Sequence, residues 1–159
     1  MPTSTYSPNG LLPGNVLVEQ VKFNWGTGAI TPYGRDYVSA RWQGKLLSPS
    51  SETFTLYLRA DDAARLYIDH ELVIDAWEGA ADCVLPGANE YRAMVDLTNG
   101  TYHDVVLEYR EDDGSASIQL MWSSFSTAPA VIPASALFYA TPISGSPYNV
   151  SIVPGAAAY

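Results

Sequence analysis

The chain has 159 residues, 47% hydrophobic and 16% charged, with 12 Gly and 11 Pro. This is one turn-rich globular domain with enough chain to bury a core, not a disordered segment. Its net charge of −9 repels phosphate backbones and anionic lipid, which argues against nucleic acid and membrane partners, while divalent cations are attracted.

The single cysteine, Cys83, allows neither an internal disulfide nor a thiolate zinc site and reads as a small buried apolar residue. The opening "MPTSTYSPNG" has no basic stretch followed by an apolar run, so any export signal is expected outside this chain. No window approaches the roughly 20 apolar residues of a membrane span.

The periodicity along the chain is that of strands. "FTLYLRA" sets Phe54, Leu56 and Leu58 against Thr55, Tyr57 and Arg59. "YHDVVLEYRE" puts Val105, Leu107 and Tyr109 on one side, and "ASIQLMWSS" puts Ile118, Leu120 and Trp122 on one side. Such two-residue periods mark half-buried strands. The turns between them read "SPNG", "PYGRD", "SPSSE", "LPGANE", "TNGT" and "EDDGS", with "PASALF" as one short helical turn. Short strands with regular turns imply a sandwich or barrel. The composition then shifts at "ATPISGSPYNVSIVPGAAAY", rich in Pro and Gly, with one alternating strand at Tyr148–Val153. The expected division is a domain at 1–140 and a tail at 141–159.

One stretch breaks the pattern. Asp61 and Asp62 are neighbours between two strand-like runs in "RADDAARLYIDHELVIDAW". Successive side chains of a strand point to opposite faces, so two adjacent acids cannot serve one site unless the backbone departs from the strand.

The motifs, taken in order, resemble the protective-antigen domain family, the PA-fourteen module of adhesins and large surface proteins. "STYSPNGLLPG" is similar to its opening aromatic strand, and Trp25-Gly26 to its Trp-Gly turn. Ser39, Arg41, Trp42 and Gly44, then Phe54, the acids Asp61 and Asp62, and Leu66, Tyr67, Ile68, Asp69 and Trp77 resemble its central signature. "YHDVVLEYREDDGSASIQLMWSS" and "VIPASALF" resemble the closing strands. The resemblance covers about residues 4 to 140. It implies a twisted antiparallel β-sandwich in which the paired acids are joined by a cis peptide and chelate calcium, which in turn binds vicinal sugar hydroxyls. A hard cation that takes six to eight oxygens suits such a pair. The sequence departs from the family at Ala63 and His70, where the family often has Gly. His tolerates left-handed geometry, whereas Ala does not. The tail "SGSPYNVSIVPG" resembles the last strand of a filamin-type immunoglobulin repeat.

The resemblance also draws the loop Glu111-Asp112-Asp113 toward the acids. Asp112 and Asp113 are the expected further calcium ligands beside Asp61 and Asp62, with Gly114 turning carbonyls inward. Asp69 and Asp75 read as hairpin caps. Arg41 reads as a fold determinant, and Trp42, Trp77 and Trp122 as core. Trp25, Tyr33 and Tyr37 are weaker candidates for stacking on sugar. His70 and His103 belong to no nucleophile–base motif, so no enzyme is expected. Asn99 and Asn149 head glycosylation sequons, each expected to carry a glycan in a eukaryotic source.

Together these expectations describe a non-catalytic, extracellular, calcium-dependent carbohydrate-binding or adhesion module. The alternative is a structural subunit of an extracellular fibre, a homo-oligomer or filament joined through residues 141–159 by strand addition.

Overall fold

The computed structural model describes residues 20–32, 34–78 and 89–138, together with the backbone of residues 151–154. Tyr33, Cys83, Asn149 and the opening aromatic strand lie outside the described residues. The strands are β1 (Lys22–Gly26), β2 (Val38–Leu47), β3 (Glu52–Asp61), β4 (Ala63–Ile68), β5 (Glu71–Ala76), β6 (Glu90–Leu97), β7 (Tyr102–Glu111), β8 (Ala116–Ser123), β9 (Ala130–Val131), β10 (Leu137–Phe138) and β11 (Ser151–Pro154). "PASALF" supplies the 3-10 turn Ala134–Ala136.

Two antiparallel sheets form. The first runs β1–β8–β3–β6, with β9 also on β8. The second runs β10–β2–β7–β4–β5, with β11 also on β2. The two-residue alternation decides what each face meets. Phe54, Leu56, Leu58, Ile118, Leu120 and Trp122 of the first sheet are buried against Trp42, Leu46, Leu66, Ile68, Leu107 and Tyr109 of the second. The Phe54 and Trp122 rings lie 5.2 Å apart at its centre. This is a sandwich core built from two inner faces.

The β4–β5 hairpin turns on Asp69 and His70, with φ of 48° and 70°. Two left-handed central residues make the turn whose twist matches the flanking strands, and His70 fills the place where Gly is usual. Asp69 also ties the hairpin to β7. Its Oδ1 accepts the Asp104 amide at 2.8 Å and its Oδ2 lies 2.7 Å from His103 Nδ1. His103 Nε2 accepts the Thr98 amide at 3.1 Å, so the ring proton sits on Nδ1 and is donated to Asp69. Asn99 is exposed in the turn before β7.

The tail strand finds its partner at home. β11 lies antiparallel on β2, with Ser151 opposite Arg41 and Pro154 opposite Val38. The filament expectation assigned this strand to a neighbouring molecule, the other expectation being that the tail folds back on its own domain. Within one chain, β10 covers β2 only at Lys45 and Leu46, leaving the Val38–Arg41 edge to be capped by the chain's own end. The segment after residue 140 therefore adds a strand to the same sheet as β2.

Two outcomes follow for stability. Phe54→Ala removes a ring with 0% exposure and is expected to cost about 3–5 kcal/mol in urea unfolding. Deleting residues 141–159 should speed hydrogen exchange along Val38–Arg41 while β3 and β8 keep their protection. Unchanged exchange at that edge would refute the β2–β11 pairing.

Candidate functional site

The paired acids do not share a strand. β3 ends at Asp61 in the first sheet and β4 begins at Ala63 in the second, so Asp62 alone carries the chain across the sandwich. The Asp61–Asp62 peptide is cis. Ala63 is 3% exposed and is not among the positive-φ residues, so the family's usual Gly is not needed here.

Two further crossings lie beside this one. β7 ends at Glu111 and the chain returns to the first sheet at Ala116. Register places this turn next to the acids, with Asp61 opposite Ser117 and Ala63 opposite Arg110. The connection from β1 to β2 crosses at the same end, since Gly26 lies opposite Ala116 and Val38 opposite Glu111. A small apolar cluster of Ile30, Val38 and Ala116, with Trp25 against it, joins the β1–β2 and β7–β8 connections.

Hydrogen bonds join the crossings. Asp62 Oδ2 accepts the Asp112 amide at 2.7 Å, and the Asp112 carbonyl accepts the Tyr37 amide at 3.0 Å. The Tyr109 hydroxyl bonds the Asp61 carbonyl and lies 2.9 Å from Glu111 Oε2. A phenol has one proton to give. With that proton on the Asp61 carbonyl, the Glu111 contact needs a proton on the carboxyl.

Glu111 is placed to hold one. It has 0% exposure, and its Oε1 has no hydrogen-bond partner. Burial, with Asp62, Asp61 and Asp36 adding negative charge, pushes its carboxyl up to about 7, against the pull of the Tyr109 hydrogen bond. Burial and then the Asp62 charge raise Asp61. Burial and the Glu111, Asp62 and Asp61 charges keep the Tyr109 phenol protonated.

The other expected residues fall differently. Asp112 reaches Asp62 through its amide, and its carboxylate Oδ1 instead lies 3.0 Å from Arg110 Nε, without hydrogen-bond alignment. Asp113 is exposed in the turn, ahead of Gly114, whose φ of 99° suits glycine alone. Arg110 and Arg65 lie 5.1 Å and 4.4 Å over Trp77, and Arg110 Nη2 donates to the Trp77 carbonyl at 3.2 Å. Trp77 is thus buried on the outside of its sheet. Asp75 Oδ1 caps the Trp77 amide at 3.1 Å, and Arg41 faces Glu108 at 3.5 Å. Trp25 is no surface platform, being stacked on Phe23 at 5.1 Å and on Tyr109 at 6.0 Å. Tyr37 is 62% exposed. Among the described residues, no three acidic, histidine or cysteine side chains already close on one point as metal ligands.

Glu111 is the site residue that the sequence expectation passed over in favour of Asp112 and Asp113. Its signal was present. The inward series Val105, Leu107, Tyr109 continues by twos to residue 111.

A two-sheet antiparallel sandwich with an acid pair at the crossing between sheets defines the class of fold. The chain belongs to the PA14 domain family, whose model matches residues 1–135. It is 38% identical over 121 residues to the anti-sigma-I factor RsgI3 of Acetivibrio thermocellus, covering 74% of this chain and 18% of that protein. A solved anti-sigma factor domain-containing protein from Clostridium clariflavum superposes with a TM-score of 0.68 at 32% identity, over 77% of this chain and 40% of that one. The chain therefore spans well under half of either relative. The A domain of epithelial adhesin 6 from Candida glabrata, solved with Galβ1-3GlcNAc, shares the fold with a TM-score of 0.61 at 11% identity, over 80% of this chain and 69% of that one.

The raised Glu111 carboxyl has a signed consequence. Its folded value lies above the ordinary 4.5, so the native state binds this proton more tightly than the unfolded chain does. Stability from this group falls as pH rises from about 4.5 to about 7. Burial alone would raise Asp69 and Glu90, but their partners hold both below the usual range. Their contribution runs the other way, lost only as the pH falls below ordinary carboxylate values. In chelator, wild type should lose stability relative to Glu111→Gln between pH 5 and 8 in thermal melts. Parallel pH profiles would refute the assignment.

Proposed function

We propose that this chain is a non-catalytic carbohydrate-recognition module that holds calcium at Asp61 and Asp62 and reads sugar hydroxyls through it, outside the cell. The observation that carries this reading is the buried, unpartnered Oε1 of Glu111 at the crossing beside the acid pair. An unpaired buried oxygen is costly, and a carboxyl pressed by three other carboxylates stays neutral only by keeping a proton. A hard cation would satisfy both, and the donor set here is all oxygen, as calcium prefers. Asp61, Asp62 and Glu111 are the side chains fit to hold it. Carbonyls of the 112–115 turn, where Asp112 and Asp113 lie, are the next source of oxygens. When bound, the ion supplies a Lewis-acidic point that vicinal hydroxyls can share.

The chain's own residues orient that point. The Asp112 amide fixes one Asp62 oxygen, and Tyr109 fixes the Asp61 carbonyl. The solved adhesin with the same fold carries a galactose-containing disaccharide, which supports the sugar class. The similarity to anti-sigma factors supports a sensing context, in which sugar on this module is reported through a longer chain. The fibre alternative loses its main support, since β11 has a partner within the molecule.

Calcium at a hundredfold excess over its Kd should stabilise the fold by about 2.7 kcal/mol, several degrees in Tm. Asp62→Asn should remove most of that rise, and chelator should abolish binding on a glycan array. A melting temperature indifferent to calcium in the wild type would overturn the metal reading.

A further inference from the structure

Among the described residues, the crossing end of the sandwich carries one aromatic ring that its packing does not use. Trp25 and Tyr109 are stacked into the core there, whereas Tyr37, the last residue before β2, is 62% exposed. Its backbone is left-handed, with φ of 55°. That conformation is costly for a bulky side chain and is the natural place for Gly or Asn. A tyrosine at such a position gains little from burial, which directs attention to what its ring meets in solution.

Its backbone is tied to the acids through the main chain of Asp112. The Tyr37 amide donates to the Asp112 carbonyl at 3.0 Å, and the Asp112 amide donates to Asp62 Oδ2 at 2.7 Å. Two consecutive hydrogen bonds therefore set the backbone that carries the ring against the carboxylate. The neighbouring Asp36 is close enough for its charge to raise Glu111. The loop bearing Tyr37 is thus part of the wall of the acid site and not a distant surface feature.

We infer that Tyr37 is the aromatic platform of the site, a specificity determinant that stacks on the C–H face of a pyranose whose vicinal hydroxyls meet the cation. This rests on the proposed calcium-dependent sugar binding and deepens it. A sugar ring has polar edges and apolar C–H faces. A cation among carboxylates can hold only the hydroxyl edge, and the face needs an apolar partner. Tyrosine supplies a rigid, amphipathic ring at small entropic cost. The pairing favours pyranoses that present a vicinal diol beside a continuous C–H face, and it rejects acyclic polyols that offer the diol without the face.

The test uses a panel of galactose-, glucose-, mannose- and xylose-terminated oligosaccharides and sorbitol, in calcium, on wild type and two variants. Tyr37→Asn removes the ring but tolerates the left-handed backbone and keeps the amide. Tyr37→Phe keeps the ring. The calcium-linked rise in Tm reports the acid site separately. Expected for Tyr37→Asn is an unchanged calcium-linked rise with sugar affinity reduced by about tenfold or more, the loss that truncating an aromatic anchor brings. Tyr37→Phe should retain most of the affinity. Wild-type affinity in Tyr37→Asn would overturn the platform role while leaving the sugar-binding reading intact. Loss of the calcium-linked rise in Tyr37→Asn would also overturn it, because the residue would then act by shaping the acid site. A wild type that binds nothing on the panel in calcium would sink both readings at once.

Discussion

The hydrogen bond from the Asp112 amide to Asp62 Oδ2 joins two of the places where the chain leaves one sheet for the other. A sandwich of two antiparallel sheets must carry its chain across somewhere, and each crossing interrupts strand pairing and leaves backbone groups to be satisfied. Here the β3–β4, β7–β8 and β1–β2 crossings share one end. They satisfy one another, carboxylate to amide and amide to carbonyl. Because the core beneath is set by alternating residues on straight strands, the crossings are free to differ in sequence without disturbing it. The chemistry of the molecule collects where the packing rules are weakest.

Charge follows the same geography. Asp36, Asp61, Asp62, Glu111, Asp112 and Asp113 all lie on the three crossings or at the strand ends that open them, with Arg35 and Arg110 alongside. Arg35 is spent on Asp36, and Arg110 on Asp112 and the Trp77 carbonyl. Neither has a recorded contact with the acid pair or Glu111. Elsewhere several acids are matched. Glu90 lies between Arg59 and Arg92, Glu108 meets Arg65, and Asp104 meets Lys45 at 2.6 Å. At the crossings the acid pair and Glu111 thus stand together without a cationic side chain among the described residues, where a cation is the natural complement.

Much of the fold was legible because strand periodicity is a strong constraint. The inward faces of β3, β7 and β8 were read from alternation, and Trp42 and Trp122 are in the core as expected, whereas Trp77 is buried on the outer face of its sheet. The hairpin at Asp69-His70 was read from turn chemistry and is left-handed at both residues. The adjacency of Asp61 and Asp62 signalled a break in the strand, and the chain does change sheets there. What sequence did not give were contacts made by the backbone. Asp112 was chosen for its carboxylate, yet its amide is what touches Asp62. Trp25 was assigned to a loop surface because nothing local reveals that Phe23 and Tyr109 bracket its ring. The β11 pairing depended on a free length of β2 edge, which is a property of the assembled sheet.

Glu111 lies between these cases and explains why buried acids are easy to miss. Its parity with Tyr109 places it on the inner face, but its charge argues for solvent, and the two exposed acids after it offered an easier assignment. The fold sides with parity. A carboxyl carried inward by strand alternation cannot turn outward without breaking the register of β7 with Val38. It must instead be neutralised by a proton or by a partner. The Tyr109 hydroxyl accounts for one of its oxygens, and the other is buried with no partner. A module that needed only stability would place a hydrophobic residue at this position, at no desolvation cost. Retaining an acid there is intelligible when its second oxygen has something to bind.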